Sequence, residues 1–218
     1  MQVEGKSINS RKLPVLNYKT HLSVTSFRLV THDPQLTTCS LLLIAYLCDM
    51  KILMVCLGNI CRSPLAEGVL KAKILEAGLS WQVDSAGTNG YHTGEAPHPL
   101  SQKIARLNGI DICTQRKTEF TAADFDRYDK IYAMAGDVLE EIKLIAGKKF
   151  NPVKVDLFLN ELFPGENIDV PDPYYGPEQG YHDVYRLIND ACDAVINRYS
   201  PIHPGNYRDQ QSTFKQKQ

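Results

Sequence analysis

Cys56 and Arg62 are separated by five residues, Leu57-Gly58-Asn59-Ile60-Cys61. A thiol and a guanidinium at that spacing suit one kind of chemistry: five residues let the chain curl round a tetrahedral oxyanion, the guanidinium grips two of its oxygens, and the sulfur attacks its centre. The attacking form is the thiolate, which backbone dipoles and Arg62 are expected to hold. A cysteine closing an apolar strand is ordinarily a small core residue. Here Gly58 supplies a turn, Asn59 an amide, Ser63 a hydroxyl, and Pro64 suits the first helical position. A thiolate that displaces an alkoxide or phenoxide also needs an acid for the leaving oxygen. The candidate is Asp172, braced by Pro171 and Pro173 in an expected loop, although an Asp in such a setting is on its own a turn residue.

The elements that must position these groups are legible around them. Ile52–Val55 reads as a buried parallel strand, breaking at Gly58-Asn59 into a loop after which a helical period begins. Strand, tight loop and helix together aim backbone N–H groups and the positive end of the helix at one phosphate-sized place. Ala66, Val69, Leu70 and Ile74 carry the helix, with Gly78 at its stop. Trp81–Ser85, Lys130–Met134 and Val153–Phe158 are the next strands. Helical stripes follow at Leu100, Ile104 and Leu107, at Val138 to Ile145 after Gly136, and at Val184 to Val195; Asp124–Tyr128 is a turn of helix. The stretch from Ala86 to Pro99 must be loop and is placed to wall the site, and Ile110–Thr121 reads as a polar connection. The expected fold is α/β, a three-layer, four-stranded, parallel, doubly wound sheet with right-handed crossovers and the ligand at the carboxyl ends of the strands.

With 218 residues, 43% of them hydrophobic, and a net charge of −1, the chain fits one globular domain and carries no electrostatic footprint for nucleic acid. Cys39, Cys48, Cys56, Cys61, Cys113 and Cys192 have neither paired-ligand spacing nor a histidine cluster, which argues against zinc and against a secreted disulfide scaffold. No metal and no cofactor are expected, and a reducing cytoplasm is the default location. Residues 1–49 differ in composition from the rest and are expected to be an extension, disordered or an over-extended gene start; a docking or tethering segment is the rival reading. Their apolar run, Leu41–Leu47, is too short to span a bilayer, which takes about 20 residues. The tail from residue 200 is polar.

The stretch Val55–Pro64 closely resembles the active loop of the low-molecular-weight protein tyrosine phosphatases, V-C-x-G-N-x-C-R-S-P, meeting every fixed position, Cys61 included. Asp84-Ser85-Ala86-Gly87-Thr88, Tyr91-His92, Gly94 and Asp172-Pro173-Tyr174-Tyr175 follow in that family's order, so the resemblance spans residues 50–199. It implies hydrolysis of phosphotyrosine in proteins through a cysteinyl-phosphate, with Cys56 as nucleophile, Arg62 as transition-state stabiliser and Asp172 as general acid and then base. It further implies that Leu57, Gly58, Asn59, Ile60, Cys61 and Ser63 line the anion loop, that Ser63 bonds the sulfur, that Asn59 fixes the loop's shape, and that Tyr91 and Tyr174 wall the substrate ring. The chain departs from the family at Ala135, where relatives often have Asp, at Leu100, where they often have Arg, and near Gln115, where they often have His. Those changes bear on loop positioning and substrate preference.

Two rivals stand beside this reading. An arsenate reductase uses a similar cysteine loop but passes oxidising equivalents to further cysteines, and here Cys113 stands alone in the relevant region. A non-catalytic phosphate-binding module would not need Cys56, Arg62 and Asp172 together.

Overall fold

The structure, a computed structural model, describes residues 49–200. The expected extension, its apolar run and all but the first residue of the polar tail lie outside the described residues. Strand β1, Lys51–Cys56, is apolar from Ile52 onward because both its faces are covered there, as in parallel sheets generally. Ile52, Met54 and Cys56 point into one core cluster, and Leu53 and Val55 into another. Helix α1, Arg62–Glu76, and helix α5, Glu178–Tyr199, supply Leu65, Val69, Leu70, Val184, Ile188 and Val195 to the first cluster. Helix α4, Gly136–Ala146, supplies Val138 and Ile142 to the second. Helices on both faces of one sheet make the three expected layers.

The sheet has the order β2-β1-β3-β4, with every pair parallel. Strand β2, Gln82–Gly87, pairs along all of β1, from Lys51 opposite Gln82 to Cys56 opposite Gly87. Strand β3, Lys130–Ala133, lies on the other side of β1, and β4, Val155–Leu157, is the edge beyond it. The chain therefore leaves β1 to one side for β2 and crosses back to the other for β3. Cys56 ends the strand at that reversal, where ligands bind in open α/β sheets.

Local chemistry sets the boundaries. Helix α1 ends in a Schellman motif: Gly78 is left-handed at φ 66°, its N–H bonds the Leu75 carbonyl, and Leu79 N–H bonds that of Ile74. Its start differs from expectation, because Arg62 opens the helix and Pro64 is its third residue, still among the four positions whose N–H has no helical partner. β4 is shorter than the apolar run: Asn151 holds Val153 and Lys154 in a turn, and Phe158 begins a 3₁₀ turn, Phe158–Glu161. α5 starts well before Val184, and Tyr181 in the added turn is fully buried.

The remaining helices are α2, Pro99–Leu107, and α3, Asp124–Arg127. The connection between them is not merely polar: Ile112, Lys117 and Phe120 are buried, and Glu119 bridges to Gly87 at the end of β2. Among the described residues, no helix is long and apolar enough to cross a membrane.

Candidate active site

The loop after β1 is held from inside. Asn59 takes the left-handed conformation at φ 51°, which Asn tolerates better than most side chains. The turn is expected of Gly58 and Asn59 jointly, yet only Asn59 has a positive φ, and a Cβ added at Gly58 would make only ordinary contact with Ile60. Three hydrogen bonds hold the Asn59 side chain: Nδ2 donates to Ser63 Oγ at 2.9 Å and to Ser85 Oγ at 2.8 Å, while Oδ1 accepts from Thr118 N at 3.0 Å. The Asn59 backbone N–H then donates to Cys56 Sγ at 3.2 Å.

Ser63 Oγ is 3.0 Å from the same sulfur. Because its oxygen accepts from Asn59, its proton is available to Sγ, with the Ala86 carbonyl a weaker alternative at 3.5 Å. Behind it, Ser85 Oγ donates to Glu67 Oε2 at 2.5 Å, and Glu67 Oε1 accepts from Lys71 Nζ at 2.6 Å. A chain of partners, buried from Glu67 inward, thus runs from exposed Lys71 through Glu67, Ser85, Asn59 and Ser63 to the cysteine. No side chain caps α1 and its first turn has no acidic residue, so no capping side chain occupies the donors at that helix end.

Arg62 and Asp172 meet across 110 positions of sequence. Arg62 Nη2 lies 2.8 Å from Asp172 Oδ2, and Nη1 donates to the Val170 carbonyl at 3.3 Å. Asp172 Oδ1 accepts from Tyr174 N at 3.1 Å, the turn expected of an Asp between prolines. The arginine is buried while the carboxylate is half exposed, which places Asp172 at the mouth.

The flanking residues divide into two groups. Leu57, Tyr91 and Tyr174 are exposed, with Tyr174 edge-on to His98 and to Tyr175. Ile60 accepts His98 N at its carbonyl, and Cys61 is buried with Sγ 3.6 Å from Tyr181 OH. Burial pushes the Cys61 thiol up to about 11, outweighing the Tyr181 hydrogen bond that favours its thiolate. Of the departures, Ala135 is the buried N-cap of α4, Leu100 lies in the first turn of α2, and Gln115 Oε1 is buried without a hydrogen-bond partner.

A cavity of about 320 Å³ opens behind the loop, lined by Glu67, Asp84, Ser85, Gln115 and Tyr128 among others, but not by Cys56, Arg62 or Asp172. Position within hydrogen-bonding reach of Cys56, rather than cavity size, identifies the reactive face. Among the described residues, no cluster of His, Cys, Asp and Glu is arranged to hold a metal.

Sequence reasoning gave no role to Glu67, Lys117, Thr118, His98 or Tyr181. Glu67 carried a signal, an acidic residue on a helix beside its apolar stripe. Thr118 carried none, because it acts on Asn59 through its backbone N–H.

Residues 51–200 match the family model described as low molecular weight phosphotyrosine protein phosphatase. The low molecular weight protein-tyrosine-phosphatase YfkJ of Bacillus subtilis is 34% identical over 149 residues, covering 67% of this chain and 94% of its own. Its crystal structure superposes with a TM-score of 0.62 at 32% identity, over 78% of this chain and 98% of that one. The low molecular weight phosphotyrosine protein phosphatase of Schizosaccharomyces pombe is 36% identical over 145 residues, 65% of this chain and 92% of its own. A solved structure of a drosophila arginine phosphatase aligns with a TM-score of 0.64 at 30% identity, over 69% of this chain and 98% of that one. On these matches and on the loop that carries Cys56, the chain belongs to the low molecular weight protein-tyrosine-phosphatase family.

Proposed function

We propose that the chain hydrolyses phosphotyrosine in proteins through a cysteinyl-phosphate. The observation that carries this is the double hydrogen bonding of Cys56 Sγ, by Asn59 N–H and the Ser63 hydroxyl, beside a buried arginine. Two donors on one sulfur favour a negative charge there, both before attack and when the sulfur leaves.

In the first step Cys56 sulfur attacks phosphorus. The S–P bond forms, the bond from phosphorus to the tyrosyl oxygen breaks, and Asp172 protonates that oxygen. Arg62 and the loop N–H groups bind the non-bridging oxygens as charge shifts among them. In the second step water attacks phosphorus and gives its proton to Asp172. The S–P bond breaks, and Ser63 supports the departing thiolate. Leu57, Tyr91 and Tyr174 are the exposed surfaces for a phenyl ring.

Beyond the loop's own buried Cys61, the described thiols weigh against relaying oxidising equivalents as arsenate reduction requires: Cys192 is wholly buried, its thiol pushed far up by that burial, and Cys113 is paired with Asp111 in the connection after α2. The described cysteines are all free, and a working thiol suits a reducing compartment such as the cytoplasm.

Turnover of phosphotyrosine, phosphoserine and phosphoarginine peptides, with acid-quench trapping of the intermediate, tests the reading. The expected result is preference for phosphotyrosine, phosphate trapped on Cys56, and no turnover by Cys56→Ser. Preference for phosphoarginine, as the name of the drosophila relative would suggest, overturns the substrate. Phosphate trapped on any other residue overturns the mechanism.

A further inference from the structure

We propose that Lys117 is a second cation of the anion site: a positioning residue that clamps the Asn89–Tyr91 arc against the phosphate-binding loop and acts, with Arg62, as counter-charge to the Cys56 sulfur and to the bound phosphoryl group. The inference rests on the phosphatase reading above, and its test is chosen to separate the two.

Lys117 is 3% exposed, rare for a lysine without a carboxylate partner. Its Nζ donates to the Asn89 carbonyl, to Asn89 Oδ1 at 3.1 Å and to the Tyr91 carbonyl. An ammonium has three protons, so one arc of chain accounts for all of them. The Lys117 backbone fastens the far end of the same loop, donating to Glu95 O at 2.9 Å and accepting from Gly94 N at 3.1 Å. The near end is tied to the anion loop itself, through Thr88 N to Cys56 O at 3.1 Å and Asn89 N to Leu57 O at 3.2 Å.

The side chain ends beneath the anion loop. A Cβ placed on Gly87 would stand 3.1 Å from Lys117 Cε, 2.9 Å from Leu57 O and 3.1 Å from Asn59 Cβ. The terminal carbons of the lysine and two residues of the loop therefore converge on a single point, the bare Cα of Gly87.

All of the ammonium's partners are neutral oxygens, and among the described residues it forms no ion pair with a carboxylate. A buried cation in neutral surroundings is costly. Burial pushes the Lys117 ammonium below the usual lysine range, and the charges that resist this are Glu119, Cys56 and Glu95, in that order. Two of the three are exposed carboxylates, screened by solvent, and the third is the nucleophile. A cation left without a buried counter-ion, next to a site for a thiolate and a phosphate, is completed by those anions.

Two variants of the full chain separate charge from clamp. Lys117→Met removes both at similar length, while Lys117→Gln keeps amide protons for the Asn89 and Tyr91 carbonyls and removes only the charge. The readouts are the rate of Cys56 alkylation by iodoacetamide at a fixed neutral pH, protection by inorganic phosphate, and KM and kcat on an aryl phosphate. Both variants are expected to slow alkylation and weaken phosphate protection by about tenfold, roughly 1.4 kcal/mol. Lys117→Gln should keep a KM closer to wild type than Lys117→Met, because it retains the loop. If Lys117→Met does not fold, Lys117→Gln alone decides the charge. Wild-type alkylation and phosphate protection in a folded Lys117→Gln protein, even with a lowered Tm, would reduce Lys117 to a strut and overturn the proposal. Neither readout requires turnover, so a wild type that hydrolyses nothing would defeat the phosphatase reading while leaving a Lys117 dependence intact.

Discussion

Arg62 Nη2 and Asp172 Oδ2 are 2.8 Å apart, so the group proposed to grip the phosphate and the group proposed to protonate the leaving oxygen hold each other. Both jobs cannot be done in that pairing, because a bidentate grip on phosphate needs the Nη2 face that Asp172 occupies. The Asp172 side chain is 45% exposed, and such a solvent-screened pair is worth about 1 kcal/mol at most. Charge-assisted bonds to a phosphoryl dianion are stronger, so substrate wins the guanidinium. Arg62 keeps the Val170 carbonyl meanwhile, and Asp172 keeps Tyr174 N, so the exchange needs only a small rotation of the carboxylate toward the leaving oxygen.

Asp172→Asn is accordingly expected to lose far more rate on phenyl phosphate, whose leaving oxygen is strongly basic, than on a nitrophenyl phosphate, which leaves with little help. A positioned general acid is worth about 10²–10⁴-fold, large enough to read in steady-state kinetics. Arg62→Lys should be severely impaired on both substrates, since an ammonium cannot make the bidentate contact. An equal, small loss on both esters in Asp172→Asn would leave Asp172 a turn residue. Asp169 would be a poor substitute as acid, since its Oδ1 is engaged by Gly136 N at 2.8 Å.

Gly87→Ala tests how tightly the anion loop is seated. The added methyl would lie 2.9 Å from the Leu57 carbonyl, a backbone atom that cannot swing away as a side-chain tip can. The loop must therefore lift, moving Asn59 N–H relative to Cys56 Sγ. The expected outcome is a protein that stays folded, binds inorganic phosphate at least tenfold more weakly by competitive inhibition, roughly 1.4 kcal/mol, and has lower kcat. Unchanged phosphate inhibition would mean that the loop tolerates the shift and that its seating does not govern affinity.

The order of legibility follows from which atoms act. The strand and the loop after it are readable because they act through side-chain type and short spacing: an apolar run, Gly-Asn, Cys and Arg. The pairing of Arg62 with Asp172 was not, because no local pattern links residues 110 apart. Ile110–Thr121 reads as a polar connection because its buried residues, Ile112, Lys117 and Phe120, follow neither helical nor strand period. α5 begins a turn before the expected stripe: Tyr181 is in phase with Val184 and Ile188, but it directly follows the Pro- and Gly-rich stretch that ends at Gly180, which masks the start. Gln115, singled out as a departure, has an unpaired buried oxygen, which fits a position where another side chain would find more partners.

His98 couples the substrate wall to α2. It is that helix's N-cap, with Nδ1 accepting from Leu100 N at 3.3 Å and facing Tyr181 OH at 3.0 Å, while its ring stacks on Tyr181. An acceptor nitrogen cannot carry a proton, and burial lowers the His98 pKa from 6.5. As pH falls through that range the unfolded chain takes up a proton that the folded chain resists, so stability falls toward acid and is flat above it. His98→Asn, which keeps a capping acceptor but does not titrate, should show a shallower fall in Tm between about pH 7.5 and 5.5 than wild type. His98→Ala should lose about 1 kcal/mol at about pH 7.5 and less at about pH 5.5, because Ala does not titrate either. Identical acid slopes in His98→Asn and wild type would assign the dependence to other groups.

The last prediction concerns oxidation. Peroxide that reaches the Cys56 thiolate converts it to a sulfenic acid, and Cys61 sulfur can then form the S–S bond as hydroxide leaves and is protonated to water. Cys61 enters that step handicapped, because burial pushes its thiol to about 11 and only a small fraction is ionised near neutral pH. Capture should therefore speed up about tenfold per pH unit until the pH nears that value. Tyr181→Phe removes the hydroxyl 3.6 Å from Cys61 Sγ, the larger of two contacts, with that of Ser101, that favour the thiolate, and should slow capture without touching Cys56. After a peroxide pulse at pH 7.5 followed by reductant, wild type should recover most activity, Tyr181→Phe less and Cys61→Ser least, the lost portion having advanced to sulfinic acid. Equal recovery in wild type and Cys61→Ser would leave Cys61 a packing residue at the start of α1 and remove its protective role.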